Sequence, residues 1–92
     1  MNITNTQELR EAIRQGKFTS LGGYPLYFIT SDGEAMSREA VLENYRLVSS
    51  AIRGRDWSDW GVIALDVNWE DPNLYCCHTG DRIESAYAED DV

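Results

Sequence analysis

The side chains best suited to chemistry lie together in one tripeptide, Cys76-Cys77-His78, which holds both cysteines and the single histidine of the chain. Structural zinc sites usually take four Cys or His ligands from two turns, because tetrahedral coordination needs four donors. No second Cys or His pair occurs elsewhere, and adjacent side chains diverge on an extended strand. The sequence therefore predicts no metal ion and no cofactor. The alternative is a zinc module that binds through Cys76 and His78, with further ligands from a second subunit.

Nucleophilic catalysis is a second hypothesis for the same tripeptide. A reactive cysteine needs a nearby imidazolium or a helix N-terminus to stabilise its thiolate, and sequence neighbours rarely reach that geometry. Gly22-Gly23 lacks the spacing of a phosphate-binding loop. Residues 66–71 alternate oxygen ligands as a calcium loop does, but the required glycine and the final glutamate are missing. We therefore predict no catalytic residues and a protein that is not an enzyme.

Charge is divided unevenly along the 92 residues. Residues 1–55 carry six acidic and seven basic side chains, whereas residues 56–92 carry ten acidic side chains and one basic side chain, Arg82, which gives the net charge of −8. An acidic surface repels phosphate, so direct binding to nucleic acid is disfavoured. The same surface attracts basic partners and speeds their association.

We therefore predict that the acidic C-terminal half binds a basic protein or nucleoprotein complex. Carboxylates would supply salt-sensitive attraction, and tryptophans would supply anchors, because tryptophan is enriched at binding hot spots. The simpler interpretation is that the carboxylates only solvate one face and the tryptophans close the core. The predicted partner-binding residues are Asp66, Glu70, Asp71, Asp81, Glu84, Glu89, Asp90, Asp91, Trp57, Trp60 and Trp69.

Hydrophobic periodicity and turn residues predict the order α-β-β-α-β followed by a short β-hairpin. We expect an α+β fold of two layers, with a helix packed on a small antiparallel sheet. All 92 residues would form a single domain with a frayed acidic tail at 88–92. The predicted helices span 6–15 and 38–53, the strands 26–30 and 62–67, and the hairpins turn at 32–33 and 78–81.

The expected compartment is the cytoplasm. No apolar run approaches the roughly 18 residues of a membrane span, and the first residues lack the basic and apolar regions of a signal peptide. Cys76 and Cys77 are adjacent, and adjacent cysteines seldom pair with each other because the ring is strained. Reduced cysteines fit an intracellular chain.

Two stretches carry a resemblance to a family. They are Gly22-Gly23-Tyr24-Pro25-Leu26-Tyr27-Phe28, and the segment from Asp66-Val67-Asn68-Trp69-Glu70-Asp71-Pro72 through Cys76, His78, Gly80 and Ile83 to Ser85-Ala86-Tyr87. In these the chain resembles small uncharacterised proteins of bacterial genomes, phages and other mobile elements, over about residues 17–91.

The resemblance implies a zinc-ribbon ancestor, since some proteins of this kind carry two C-x-x-C pairs. The matching positions here are Ser37 and Ala40, then Cys76 and Thr79, so three of the four ligands are absent and a degenerate, metal-free module is expected. The mobile-element context implies a further function by analogy. Small acidic proteins of such elements resemble inhibitors of host defence, some of which present carboxylates where a nuclease or surveillance complex expects phosphates.

Overall fold

A three-stranded antiparallel sheet forms one layer of the protein, in a computed structural model that describes residues 1–55 and 60–86. Strands β1 (Leu26–Thr30), β2 (Ala35–Met36) and β3 (Val62–Val67) lie in the order β2-β1-β3. The aromatic and β-branched residues of β1 and the apolar run of β3 suit a half-buried pleated surface. These strands confirm the two predicted from the sequence.

The turn between β1 and β2 follows from Asp32-Gly33. Gly33 has a φ of 85°, a left-handed conformation that glycine adopts without steric cost. Its N–H donates to the Thr30 carbonyl at 2.9 Å, and the Thr30 N–H donates to the Glu34 carbonyl at 2.9 Å. The predicted hairpin is therefore confirmed.

Strand β3 is the last strand in the sheet order, and its continuous apolar run wrongly predicts a strand covered on both faces, because Ile63 and Asp66 are exposed. Beyond β1, the N-terminal residues pair with its other edge: Asn2 forms an antiparallel bridge with Ala64, and the Ile3 N–H donates to the Ile63 carbonyl at 2.8 Å. The Leu65 N–H likewise donates to the Met1 carbonyl at 2.8 Å. These contacts fix the N-terminus to the sheet.

Within residues 1–55 and 60–86, three helices form the second layer. Helix α1 (Thr6–Arg14) begins at Asn5, whose side chain accepts from the Glu8 N–H, and helix α2 (Arg38–Glu43) begins at Ser37, whose hydroxyl accepts from the Ala40 N–H. Helix α3 (Tyr45–Arg53) completes the layer. The helices cover one face of the sheet, which confirms the two-layer α+β prediction. The core they form with the sheet includes Leu9, Ala12, Phe28, Ala40, Val41, Val48, Ile52, Val62 and Leu65.

The prediction of one continuous helix over 38–53 is wrong at Asn44. This residue has φ −116° and ψ 29°, outside the helical region. Its side-chain amide donates to the Ala40 carbonyl at 2.9 Å, the same carbonyl that accepts the Asn44 N–H at 3.1 Å. Asparagine competes with the helix for backbone groups in this way. The apolar stripe survives the break, because Val41 and Val48 are both fully buried.

The segment after β3 contains little regular structure. The predicted second hairpin is reduced to a bridge between Tyr75 and Arg82, with the Cys76 N–H donating to the Asp81 carbonyl and the Ile83 N–H to the Leu74 carbonyl, both at 2.8 Å. The tail at 88–92 lies outside the described residues. In residues 1–55 and 60–86, no helix is long and apolar enough to cross a membrane.

Asn68 ties this segment to the sheet, and its side chain is 4% exposed. The side-chain amide donates to the carbonyls of Asp71 at 3.0 Å and Glu84 at 2.9 Å, and its oxygen accepts from the Asp71 N–H at 3.2 Å. The Asn68 N–H donates to the Pro25 carbonyl, and the Asn68 carbonyl accepts from the Ala86 N–H. The amide is therefore committed to structural contacts within the segment.

We expect Asn68→Ala to lower the free energy of unfolding by about 2 kcal/mol, because it leaves partly buried carbonyls and an N–H without their protein partner. Urea denaturation followed by circular dichroism measures the change. Asn73→Ala is the matched control, since Asn73 is exposed and its truncation should change stability by less than about 0.5 kcal/mol. Equal stability of both variants would contradict the assignment.

Candidate functional site: an acidic-aromatic face and a buried thiol

Strand alternation places an aromatic and an acidic side chain together on the outer face of the sheet. Tyr27 pairs with Asp66, and the neighbouring pair of Phe28 and Leu65 is buried under the helices. Successive side chains point to opposite faces of a strand, so Tyr27 and Asp66 point away from the helical layer. Burial raises the pKa of the Tyr27 hydroxyl, and the charges of Asp66 and Asp71 raise it further, which places both carboxylates near this ring.

The loop after β3 extends this surface. Glu70 and Asp71 are exposed, and Trp69 between Asn68 and Glu70 is 47% exposed. The Trp69 ring lies against Tyr24, with centroids 4.7 Å apart and planes tilted by 54°. We call Asp66, Trp69, Glu70 and Asp71 the acidic-aromatic face. Ion pairs found among residues 1–55 and 60–86 do not include its three carboxylates.

Asp81 and Glu84, which were predicted to belong to the same binding surface, have basic neighbours instead. Glu84 lies 4.0 Å from the Lys17 ammonium, which is also 3.9 Å from Glu39. Together with Arg38, these residues line a shallow cavity of about 70 Å³. The local charge there is mixed, so these two carboxylates contribute less to an attractive field than the acidic-aromatic face does.

The predicted tryptophan anchors have different surroundings. Trp60 packs against the core, and its ring stacks on His78 with centroids 4.0 Å apart and planes 6° from parallel. Of the described tryptophans, Trp69 is the one with large exposure. Trp57, Glu89, Asp90 and Asp91 lie outside the described residues.

Cys76 is a buried cysteine whose sulfur accepts several hydrogen bonds. Its side chain is 2% exposed, and its Sγ accepts hydrogen bonds from the Ser37 N–H at 3.3 Å and the Ser37 hydroxyl at 3.5 Å. Burial acts to raise the pKa of the thiol, but hydrogen bonds from Ser37 and Thr79 outweigh it and lower the pKa from 9.0 to about 7. Cys76 thus supplies a partly ionised, hydrogen-bonded sulfur inside the protein.

Cys77 and His78 do not join Cys76 in one cluster of side chains. Cys77 is exposed as a residue. Partial burial of its sulfur, together with the charges of Cys76 and Glu34, raises the pKa of its thiol to about 11. His78 stacks on Trp60. The low exposure of Cys76 keeps its sulfur from contacting a substrate directly, and the raised pKa keeps the Cys77 thiol protonated at neutral pH.

The zinc-ribbon positions can be tested against the same geometry. Ser37, Cys76 and Thr79 do come together, but the first and last contribute hydroxyl and N–H donors to the sulfur. Zinc prefers thiolate and imidazole ligands, and this cluster offers one sulfur whose lone pairs already accept hydrogen bonds. In the described residues, no group of three or more His, Cys, Asp or Glu side chains is arranged to hold a metal ion. The cluster does not fit a zinc ion.

Comparison with protein-family models, curated proteins and solved structures gives no significant match to this chain. The resemblance to mobile-element proteins therefore stays a prediction. Sequence reasoning missed Tyr27 as a residue of the site, and it named Ser37 only as the position of an absent zinc ligand, not as a hydrogen-bond donor to Cys76. Strand alternation opposite Asp66 was the available signal for Tyr27, whereas the contact between Ser37 and Cys76 joins positions 39 residues apart and has no local signal.

We expect the Cys76 thiol to titrate near pH 7 in a Cys77→Ser background, followed by the ultraviolet absorption of the thiolate. Ser37→Ala should raise this pKa, because it removes a hydrogen bond that favours the ionised sulfur. Ser50→Ala, which changes an exposed serine of α3, is the matched control and should leave it unchanged. A Cys76 pKa near 9 in the Ser37-containing protein would contradict this environment.

The same ionisation links stability to pH. The folded pKa of Cys76 is depressed, so its stabilising contribution is complete above about pH 9 and is lost as the pH falls through about 7. The test compares the Cys77→Ser protein with a variant that also carries Cys76→Ser. The difference in their free energies of unfolding should rise by about 2 kcal/mol from pH 7 to pH 9, at about 1.4 kcal/mol per pKa unit. Denaturant titrations at pH 6 to 9 measure this difference. If the free energies of unfolding of the two proteins changed in parallel with pH, the link between stability and Cys76 ionisation would be contradicted.

Proposed function

We propose that this protein is a non-enzymatic binding module that docks its acidic-aromatic face on a basic protein or nucleoprotein complex in the cytoplasm. The observation that carries the proposal is that Asp66 and Asp71 both lie near Tyr27 on the outer face of the sheet, while Trp69 and Glu70, between them in the chain, are exposed. These carboxylates stand apart from the ion pairs found in the described residues.

The chemistry of this face suits arginine and lysine side chains. Carboxylates form charge-assisted, bidentate hydrogen bonds with guanidinium groups, and the exposed indole face of Trp69 attracts a cation that approaches it. Three neighbouring carboxylates also raise the association rate of a basic partner. An aromatic anchor within a charged surface is the combination that dominates many protein interfaces.

Proteins that handle nucleic acid are the partner class that these features favour. Such proteins display arginines and lysines along the path of the phosphate backbone. A protein of net charge −8 is repelled by nucleic acid itself and attracted to those same side chains. Occupation of that path by the acidic-aromatic face excludes nucleic acid by competition. With the mobile-element resemblance, this makes inhibition of a host defence complex the biological role that we propose.

A pull-down from nuclease-treated host lysate tests this function. The wild-type protein should capture a nucleic-acid-handling protein, and added nucleic acid should compete with the capture. Asp66→Lys with Glu70→Lys should weaken binding by at least about tenfold, because the close charge pairs become repulsive. Trp69→Ala should also weaken binding to the captured protein, without changing how that binding depends on salt concentration.

The matched control is Glu11→Lys with Glu43→Lys, which changes the net charge equally at exposed positions of α1 and α2. This control should retain binding, which separates a local face from a nonspecific effect of net charge. Equal loss in both double variants, or capture that nucleic acid does not reduce, would refute the proposed docking mode.

A further inference from the structure

A second surface of the protein has the opposite charge. On the helical layer, a groove of about 250 Å³ runs between α1 and the α2–α3 junction, lined by Arg10, Ile13, Arg14, Leu42 and Tyr45. We call it the helical groove. An apolar cavity of about 150 Å³ is large enough for a benzene molecule, so the groove accommodates one large apolar side chain.

The floor of the helical groove is apolar and incompletely covered. Ile13 and Tyr45 are partly buried against the core, and Leu42 is 43% exposed. Leu42 precedes the break at Asn44, and the turn between α2 and α3 brings it beside Tyr45. Covering these side chains with an apolar group removes them from water, which is favourable.

The charged groups lining the groove are both guanidinium groups. Arg10 and Arg14 contribute positive charge, and none of the described residues that line the groove carries a carboxylate. The ion pairs of the described residues use Lys17 and not these arginines. The two positions are four apart on α1, so their Cα atoms are about 6 Å apart along the axis at about 1.5 Å per residue.

We propose that the helical groove binds an acidic amphipathic helix of a partner protein. One apolar side chain of that helix enters the groove. Two carboxylates four residues apart on the partner helix have the same spacing as Arg10 and Arg14 on α1, so each carboxylate pairs with one arginine. Helix-in-groove recognition works through such regularly spaced anchors. The apolar floor suits this ligand better than a phosphodiester backbone. This surface is distinct from the acidic-aromatic face and needs a partner of opposite charge.

The net charge of −8 does not prevent this contact. At physiological ionic strength the Debye length is about 8 Å, so carboxylates farther than this from the groove act on the ligand only weakly. Contacts between guanidinium groups and carboxylates at hydrogen-bond distance are screened much less. The groove therefore acts as a local basic site on an acidic protein.

Fluorescence anisotropy with a defined peptide tests the proposal on the full chain. The probe is a labelled alanine-rich peptide of about 15 residues, a length at which isolated helices become stable, with one leucine and two glutamates four residues apart. Arg10→Glu with Arg14→Glu should weaken its binding at least about tenfold. A second peptide with lysines in place of the glutamates should prefer this double variant over the wild type.

Two further variants keep the result interpretable. Arg53→Glu with Arg55→Glu is the matched control, because it changes the charge equally at exposed residues outside the groove and should leave binding unchanged. Leu42→Ala alters an exposed apolar side chain and should weaken both peptides alike. Unchanged binding to the Arg10/Arg14 variant would overturn the proposal. A dimer that this variant dissociates, with no peptide binding by the wild type, would also overturn it and make a second copy the occupant.

Discussion

The C-terminal third of the described chain depends on one buried amide, that of Asn68. After β3 there is almost no regular pairing, and a chain without secondary structure must satisfy its buried backbone groups in other ways. Asn68 does this for two segments at once, with donors to the carbonyls of Asp71 and Glu84 and a backbone acceptor for Ala86. An apolar residue of similar size would leave these groups without partners.

The same amide determines the orientation of the acidic-aromatic face. Because the Asn68 side chain points inward, its neighbours Trp69 and Glu70 are turned toward solvent. The Asp71 N–H and carbonyl both bond to the Asn68 side chain, which fixes the turn that carries the third carboxylate. The exposed residues of the acidic-aromatic face are therefore positioned by a buried residue, Asn68.

The charge pattern of the sequence predicts that the acidic-aromatic face is negative, but not which carboxylates form it. The acidic excess after residue 55 is visible in the sequence, whereas the basic neighbour of Glu84, Lys17, depends on strand register and on the path of an irregular loop. Strands and turns were predictable because alternation and Asp32-Gly33 are local signals. The helix break was not, because it depends on which acceptor the Asn44 side chain selects. The acidic-aromatic face and the helical groove also belong to different parts of the charge pattern, so net charge alone describes neither surface.

Cys76 shows how such a fold can be stabilised without a metal. Thiolates in metal sites are stabilised by the charge of the ion, with roughly 10 kcal/mol or more of folding energy from a structural zinc. Here Ser37 and Thr79 donate hydrogen bonds to the sulfur, and bonds to charged groups contribute only about 1.5–3 kcal/mol each. Hydrogen bonding thus replaces part of what a metal would supply. The remainder must come from apolar burial, and a continuous core from Ile3 to Ile83 joins both layers to the Cys76 segment. The Cys76 thiol cluster and the hydrophobic core are therefore one connected unit.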